Sequence, residues 1–226
     1  MLGFRINRRV RQVPAELVDR FRGLPAANVS DVMARMVAGG ARLRPMHGGG
    51  VMVGVALTVK TRPGDNLMVH KAIDMAASGD VIVVDAGGDL TNALIGEIMA
   101  SHAAARGVAG FVIDGAIRDA AAIRAGRLPV FAAGVTHRGP YKNGPGEINV
   151  PVALDGMVIE PGDLVLGDDD GLVAVSFEHA ETVFAAASAK HEAEEEILAG
   201  IRAGFPQDRA WVDETLRRLG CAFDAS

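Results

Sequence analysis

Two apolar runs dominate the middle of the chain. Val81-Ile82-Val83-Val84 ends at Asp85-Ala86-Gly87-Gly88, and a helical pattern follows from about Leu94 to Arg106. Gly110-Phe111-Val112-Ile113 ends at Asp114-Gly115, and a second helical pattern follows from about Asp119 to Ala125. Runs this short and this uniformly apolar predict strands buried on both faces, and their alternation with helices predicts parallel pairing. Ligands in such sheets sit beyond the carboxyl ends of the strands, which directs attention to 85–96 and 114–119.

Around this pair the pattern is lighter. Val13 to Leu24 carries apolar residues at helical spacing. Asn28-Val29-Ser30-Asp31 offers side-chain oxygens to cap a short second helix running through Ala34. Gly50 to Thr61 alternates small and β-branched residues as a strand does, and Gly64-Asp65 opens a helix from Leu67 to Ala77. Beyond Pro129 the chain changes to short strands and turns. Pro161-Gly162-Asp163 precedes Leu164-Val165-Leu166 much as Ser78-Gly79-Asp80 precedes Val81, and Gly171 parts that strand from Leu172 to Val175. Phe177 to Ala203 reads as one long helix rich in Ala and Glu. Gly204-Phe205-Pro206 stops it, and a last helix runs to about Leu219. The expected fold class is α/β with helical extensions at both ends. One domain spans 1–226, with its core at about 25–176 and a C-terminal helical extension at 177–226. The charge between Glu192 and Glu196 predicts that the long helix projects from the body and packs on a neighbouring subunit.

Composition narrows the function classes. Apolar residues make up 49% of 226, enough for a sizeable core, and aromatics at 4% leave that core to Val, Ile, Leu and Ala. Met33, Met36, Met68 and Met75 are expected to fill it. A net charge of -5 argues against a nucleic-acid partner, which needs a basic face to displace counterions. Arg5, Arg8, Arg9 and Arg11 form a local basic cluster, expected to be a solvated tail or a subunit contact. The single cysteine, Cys221, permits neither an intrachain disulfide nor a cysteine metal cage. No apolar run approaches the ~18 residues of a membrane span, and the basic start lacks the apolar stretch of a signal peptide. No membrane partner and a cytoplasmic location are therefore expected.

Two constellations carry candidate chemistry. Gly87 to Glu97 places glycines ahead of a helix, where backbone N–H groups and the positive dipole end bind carboxylate or phosphate. The same pattern describes a plain strand-to-helix turn. It is neither a Walker loop nor a dinucleotide fingerprint. Asp114 to Asp119 ends in Arg118-Asp119. An Arg presents a planar fork to a carboxylate or a developing enolate oxygen, and an adjacent Asp can hold a hard cation. An Arg-Asp pair is also a common surface salt bridge.

The stretch from Gly96-Glu97-Ile98-Met99-Ala100 through Ala103-Ala104-Ala105-Arg106-Gly107-Val108-Ala109-Gly110-Phe111 to Asp114-Gly115-Ala116-Ile117-Arg118-Asp119 resembles the signature of one superfamily. It contains the 4-hydroxy-4-methyl-2-oxoglutarate and 4-carboxy-4-hydroxy-2-oxoadipate aldolases and the regulator of ribonuclease E activity, and is called RraA-like. The aldolases carry an acidic residue, twenty intervening residues, then Arg-Asp; here Glu97, residues 98–117 and Arg118-Asp119 match. The resemblance covers roughly 25–200. It includes Gly64-Asp65-Asn66-Leu67-Met68-Val69-His70, Ser78-Gly79-Asp80-Val81 and Pro161-Gly162-Asp163-Leu164-Val165. Glu97 stands where Asp is usual, and Ile98 and Met99 stand where paired leucines are usual.

The resemblance implies a layered α/β(β)α sandwich of the RraA-like, phosphohistidine-domain-like type, assembled as a homotrimer or homohexamer. It implies a class II aldolase that cleaves 4-hydroxy-2-oxo acids to pyruvate and a second oxo-acid, with oxaloacetate decarboxylation as a side activity. Asp119 would coordinate Mg²⁺ or Mn²⁺, and Glu97 would orient metal-bound water. Arg118 would bind the substrate's oxo and carboxylate oxygens. Gly96 and the backbone N–H groups around Ile98 and Met99 would hold the pyruvyl carboxylate. A glutamate of a neighbouring subunit, with Glu192, Glu195 and Glu196 as candidates, would complete the metal site.

Other polar residues carry open readings. His70 with Asn66 forms an anion pocket or a helix-face histidine bonded to backbone. His102 is expected to pack. His137, Arg138, Tyr141 and Lys142 form a surface loop or cap the substrate's distal carboxylate. The other functional class is a non-catalytic regulator of a ribonuclease, a branch that is shorter and generally lacks the long C-terminal helix. A methyltransferase has little support, since no glycine-rich loop of the usual methyl-donor type is present.

Overall fold

The computed structural model describes residues 3–36, 39 and 41–223. Its elements in chain order begin with β1 (Phe4–Ile6), α1 (Ala15–Phe21), α2 (Ala26–Val32), β2 (Arg44–Pro45), β3 (Met52–Thr61) and α3 (Leu67–Met75). The central part is β4 (Asp80–Ile95), α4 (Glu97–Ala105), β5 (Gly110–Ile117), α5 (Ala120–Ala125) and β6 (Val130–Val135). Short strands β7 (Gly146–Ile148), β8 (Val152–Leu154) and β9 (Met157–Ile159) lead to the hairpin β10 (Leu164–Asp168) and β11 (Gly171–Val175). One 3₁₀ turn at Phe177–His179 precedes α6 (Ala180–Arg202), and α7 (Ala210–Arg218) follows. The chain forms two compact units, divided between Ser188 and Ala189.

In the first unit β3, β4, β5 and β6 pair in parallel, as the continuous apolar runs predict. The sheet is mixed beyond them. The full order is β1-β7-β3-β4-β5-β6-β2, with β10 antiparallel to β3. On one face Ile82, Val84, Ile113 and Ile117 bury against Val69 and Ile73 of α3 and Met99 and Ala103 of α4. On the other, Val81, Val83, Val112 and Phe131 bury against Val152, Leu154, Met157 and Ile159 of the β8–β9 hairpin. A third cluster packs α1, α2 and the start of α6 over β10 and β11. This is a layered α/β sandwich with helical additions. The second unit holds the rest of α6 and all of α7; none of the α7 residues is buried.

Several sequence expectations are corrected. Asn28, Ser30 and Asp31 lie inside α2 rather than capping it, because Pro25 with its fixed φ precedes the first helical residue. The strand from Val81 does not end at Val84. Register shifts between Asp85 and Asp89, Asp89 and Ala93, and Ala93 and Ile95 absorb the glycines as bulges, so β4 reaches Ile95. The following helix therefore starts at Glu97, not Leu94. The partner strand likewise continues past Asp114 to Ile117. Met68 is buried and Met33 and Met75 pack partly against core clusters, but Met36 is 82% exposed.

Three of the four N-terminal arginines are paired within the chain rather than forming a solvated tail, while Arg8 is exposed. Arg9 pairs with buried Asp80 at 2.7 Å, and Arg11 pairs with Glu160 and Glu178. Arg5 meets Glu147 at 2.6 Å beside the β1–β7 pairing. These three arginines fasten the arm to the first unit.

Candidate active site

The site forms where β4 and β5 end side by side. The Arg118 N–H donates to the Ile95 carbonyl at 3.0 Å, and the Thr136 N–H donates to the Ile117 carbonyl at 2.9 Å. These bonds fix the main chain as it leaves β5. Asp119 then takes a left-handed conformation, φ 56°, which a residue with a Cβ adopts at a cost. That turn sends its carboxylate back to the start of α4, where Oδ2 accepts the Glu97 N–H at 2.9 Å. Gly96 is required between them: a Cβ there would run into Asp119 Oδ2 and the Arg118 side chain.

Arg118 and Asp119 share the wall of a cavity of about 120 Å³. The rest of that wall comes from Gly96, Ile98 and Met99 at the start of α4, Ala93, Leu94 and Ile95 of β4, Asn66 and His70 of α3 and its approach, and Pro140 and Lys142. Ile98 and Met99 lie in the first turn of α4, where backbone N–H groups have no partner within the helix and the dipole is positive. Asn66 is buried; its Nδ2 donates to the Leu94 carbonyl at 2.8 Å and to Met99 Sδ at 3.3 Å. Its Oδ1 is buried without a donor, an acceptor left for a ligand or water. Burial, reinforced by the Lys142 charge, holds the His70 imidazolium pKa below its usual value.

The loop after β6 divides between two cavities. Lys142 faces the one just described. His137 lines a second, more open one of about 290 Å³ with Val135 and Thr136, on which Arg118 and Asp119 also border. Arg138 contributes its carbonyl to the Ala93 N–H at 2.9 Å, and exposed Tyr141 lies beneath the Arg62 guanidinium. Neither lines the first cavity. Glu97 does not line that cavity either; it borders a groove of about 300 Å³ with Ala100, Ile123 and Leu128, while its N–H reaches Asp119. His102, expected to pack, is exposed on α4. Glu192, Glu195 and Glu196 are exposed in the second unit. Among the described residues no three His, Cys, Asp or Glu side chains converge as a metal cage, and Asp119 is the sole carboxylate in the wall of the smaller cavity. No helix among the described residues is long and apolar enough to cross a membrane.

A second polar cluster lies on the opposite face of the sheet. Asp85 and Asp114 are register partners on adjacent parallel strands. Arg42 reaches Asp114 at 2.8 Å. Burial pushes the Asp114 carboxyl above its usual range; Arg42 opposes that shift, while Asp85 and Asp155 add to it.

The sequence model of the family RraA-like, described as Aldolase/RraA, matches residues 26–174. This chain belongs to the RraA-like family. A protein of Halalkalibacterium halodurans, provisionally named a 4-hydroxy-4-methyl-2-oxoglutarate aldolase, is 37% identical over 91% of this chain and 98% of its own length. An uncharacterized protein from Pseudomonas syringae superposes with a TM-score of 0.78 at 29% identity, over 86% of this chain and 96% of that one. The RNA-processing inhibitor RraA from Thermus thermophilis superposes with a TM-score of 0.63 at 31% identity, over 67% of this chain and 92% of that one. Every residue lining the smaller cavity falls inside the RraA-like match, whereas Glu192, Glu195 and Glu196 lie beyond it.

Proposed function

We propose that this RraA-like protein is a divalent-metal-dependent class II aldolase. Its substrates are 4-hydroxy-2-oxo acids such as 4-hydroxy-4-methyl-2-oxoglutarate or 4-carboxy-4-hydroxy-2-oxoadipate, and oxaloacetate decarboxylation is its side activity. The observation that carries this reading is the shared wall of the 120 Å³ cavity. The first-turn N–H groups of α4, the Arg118 fork and the Asp119 carboxylate all border a space the size of a small oxo-acid. The 37% identical relative, provisionally named an aldolase, supports the same reading.

The α4 N-terminus holds the carboxylate next to the 2-oxo group, because unpaired N–H groups and the helix dipole both favour an anion there. Arg118 donates to the 2-oxo oxygen, where negative charge grows as the C3–C4 bond breaks. Lys142 and His70, which line the same cavity, receive the distal carboxylate. Asn66 Oδ1 accepts from a substrate hydroxyl or from a bound water; that water takes the C4 hydroxyl proton and returns a proton to C3 of the enolate, releasing pyruvate. The donor set fits a hard, largely hydrated cation. Asp119 offers a carboxylate of which only Oδ2 is engaged among the described residues, and Mg²⁺ or Mn²⁺ takes one or two such groups with water completing the shell. Bound there, the ion would supply the Lewis acidity that polarises the 2-oxo group. A glutamate from Glu192, Glu195 or Glu196 of a second copy, in a homotrimer or homohexamer, would add a further ligand. Glu97 borders the neighbouring groove, so its part is indirect, through its N–H bond to Asp119.

The test is pyruvate release from oxaloacetate and from 4-hydroxy-4-methyl-2-oxoglutarate, with Mg²⁺ or Mn²⁺ and after chelation. Metal-dependent release that Arg118→Ala abolishes supports the aldolase. Absence of release from both substrates moves the assignment to a protein-binding regulator of a ribonuclease. The likeness to the Thermus thermophilis inhibitor keeps that second reading in play, although it leaves a third of this chain unmatched.

A further inference from the structure

Asp65 is fully buried and has no part in the chemistry above. Its carboxylate joins two segments far apart in sequence. Oδ2 accepts the Asn143 N–H at 2.7 Å and the Gly144 N–H at 2.9 Å, and Arg62 donates to the same oxygen at 3.1 Å. Oδ1 accepts the N–H of Leu67, the first residue of α3, at 3.0 Å. The main chains on either side pair as well. The Asn66 N–H donates to the Tyr141 carbonyl at 3.0 Å, and the Tyr141 N–H donates to the Gly64 carbonyl at 2.8 Å. Lys142 is therefore held through both of its chain neighbours, and Asn66 and His70 depart from the other side of the same cluster.

Hydrogen bonds from backbone N–H groups to a buried carboxylate are charge-assisted, and leaving such donors unpaired is costly. More is spent here than a surface loop of this length requires. A second tie holds the front of the loop, where Asn92 Nδ2 donates to the Gly139 carbonyl at 2.5 Å. We infer that Asp65 is a positioning residue that holds Lys142 in the cavity wall it shares with His70, and so selects substrates carrying a second carboxylate. This rests on the reading of Lys142 and His70 as the distal-carboxylate site.

Asp65→Asn keeps the side-chain size but puts an amide where several N–H donors converge. Two kinetic readouts separate positioning from general loosening. Exchange of the pyruvate methyl protons in deuterated water with Mg²⁺ involves no distal carboxylate, and its KM shifts less than about twofold, the range of a distant substitution. The KM for 4-hydroxy-4-methyl-2-oxoglutarate rises about tenfold, the worth of one charge-assisted hydrogen bond, with little change in kcat. Lys142→Ala raises that KM at least as much, and the double variant is no worse than Lys142→Ala alone, since both act through one contact. Trypsin cleavage after Lys142 is faster in Asp65→Asn. A parallel rise in both KM values, additivity in the double variant, or unchanged cleavage overturns the inference. If the wild type shows neither pyruvate exchange nor cleavage of the dicarboxylate, the aldolase reading fails while the trypsin comparison still judges the clamp. If Asp65→Asn does not fold, Asn92→Ala releases the loop from its other end and carries the same comparisons.

Discussion

Asp119 Oδ2 and the Glu97 N–H meet at 2.9 Å, so the residue proposed to hold the metal also fastens the first turn of the helix proposed to hold the substrate. The two duties separate by substitution. Asn at 119 keeps an oxygen for the Glu97 N–H and tolerates the left-handed backbone, while the charge is lost. Asp119→Asn is expected to melt with the wild type and to lose about a thousandfold in metal-dependent turnover, the loss of several kcal/mol of charge stabilisation. Asp119→Ala loses the rate and about 1 kcal/mol of stability besides, as for a removed helix cap. Calorimetry beside the pyruvate assay checks both. Equal melting losses in the two variants contradict the capping role.

Gly96→Ala tests the close approach directly. The added methyl meets Asp119 Oδ2 and the Arg118 side chain, which leave the site together if they yield. Overpacking of this kind costs about 1–3 kcal/mol, and displacement of the arginine fork lowers kcat/KM about a hundredfold. Denaturant unfolding and steady-state kinetics on one preparation measure both. A fully active Gly96→Ala excludes the arrangement described here.

His70 gives the site a pH dependence of known sign. Burial and Lys142 keep its imidazole neutral until the pH falls below the usual 6.5. At pH 7–8 the KM for a dicarboxylate should be flat; below 6.5 protonation adds a positive charge and KM falls. The same lowered pKa means that stability is lost as pH drops from 6.5 through the folded value, because the unfolded chain binds the proton more tightly. His70→Gln removes both trends. A KM profile that survives in His70→Gln assigns the titration elsewhere.

Asp114 carries the opposite sign. Its folded pKa is raised, so the stability it contributes is greatest below the usual carboxylate value and is lost as pH rises through the folded one. Asp114→Asn mimics the protonated form and has no such dependence, though it loses charge pairing with Arg42. The variant's deficit relative to wild type should therefore shrink between pH 4 and pH 7 in urea titrations, an interval that opens just above the ordinary 3.8. A deficit that widens over that interval refutes the raised pKa.

The central strands were legible because Val81 to Val84 and Gly110 to Ile113 are apolar without interruption, and only burial on both faces explains that. Their carboxyl ends were not. Asp85, Gly87, Gly88, Asp89 and Asn92 have loop composition, and a strand that bulges repeatedly keeps its hydrogen bonds while losing its pattern. The resemblance names Gly96, Glu97 and Arg118 together, but spacing along the chain does not say which cavity a first-turn residue of α4 lines, and Glu97 lines the groove beside α5. The ties made by Asp65 and Asn92 leave no sequence signal, because their partners are main-chain groups 78 and 47 residues away and a peptide N–H or carbonyl has no letter in the sequence. The ion pairs of the arm's arginines are hidden for a related reason: their acids lie beyond any local window.

That arm has a consequence for biosynthesis. Arg9 is made 71 residues before Asp80, and Arg11 precedes Glu160 and Glu178 by 149 and 167. At a ribosomal pace of about 5–20 residues per second, Arg11 waits on the order of ten seconds or longer for its counter-ions to emerge. Arg11 thus finds its place well after Asp80 has become available to Arg9, and its guanidinium stays without its two carboxylates until both have emerged.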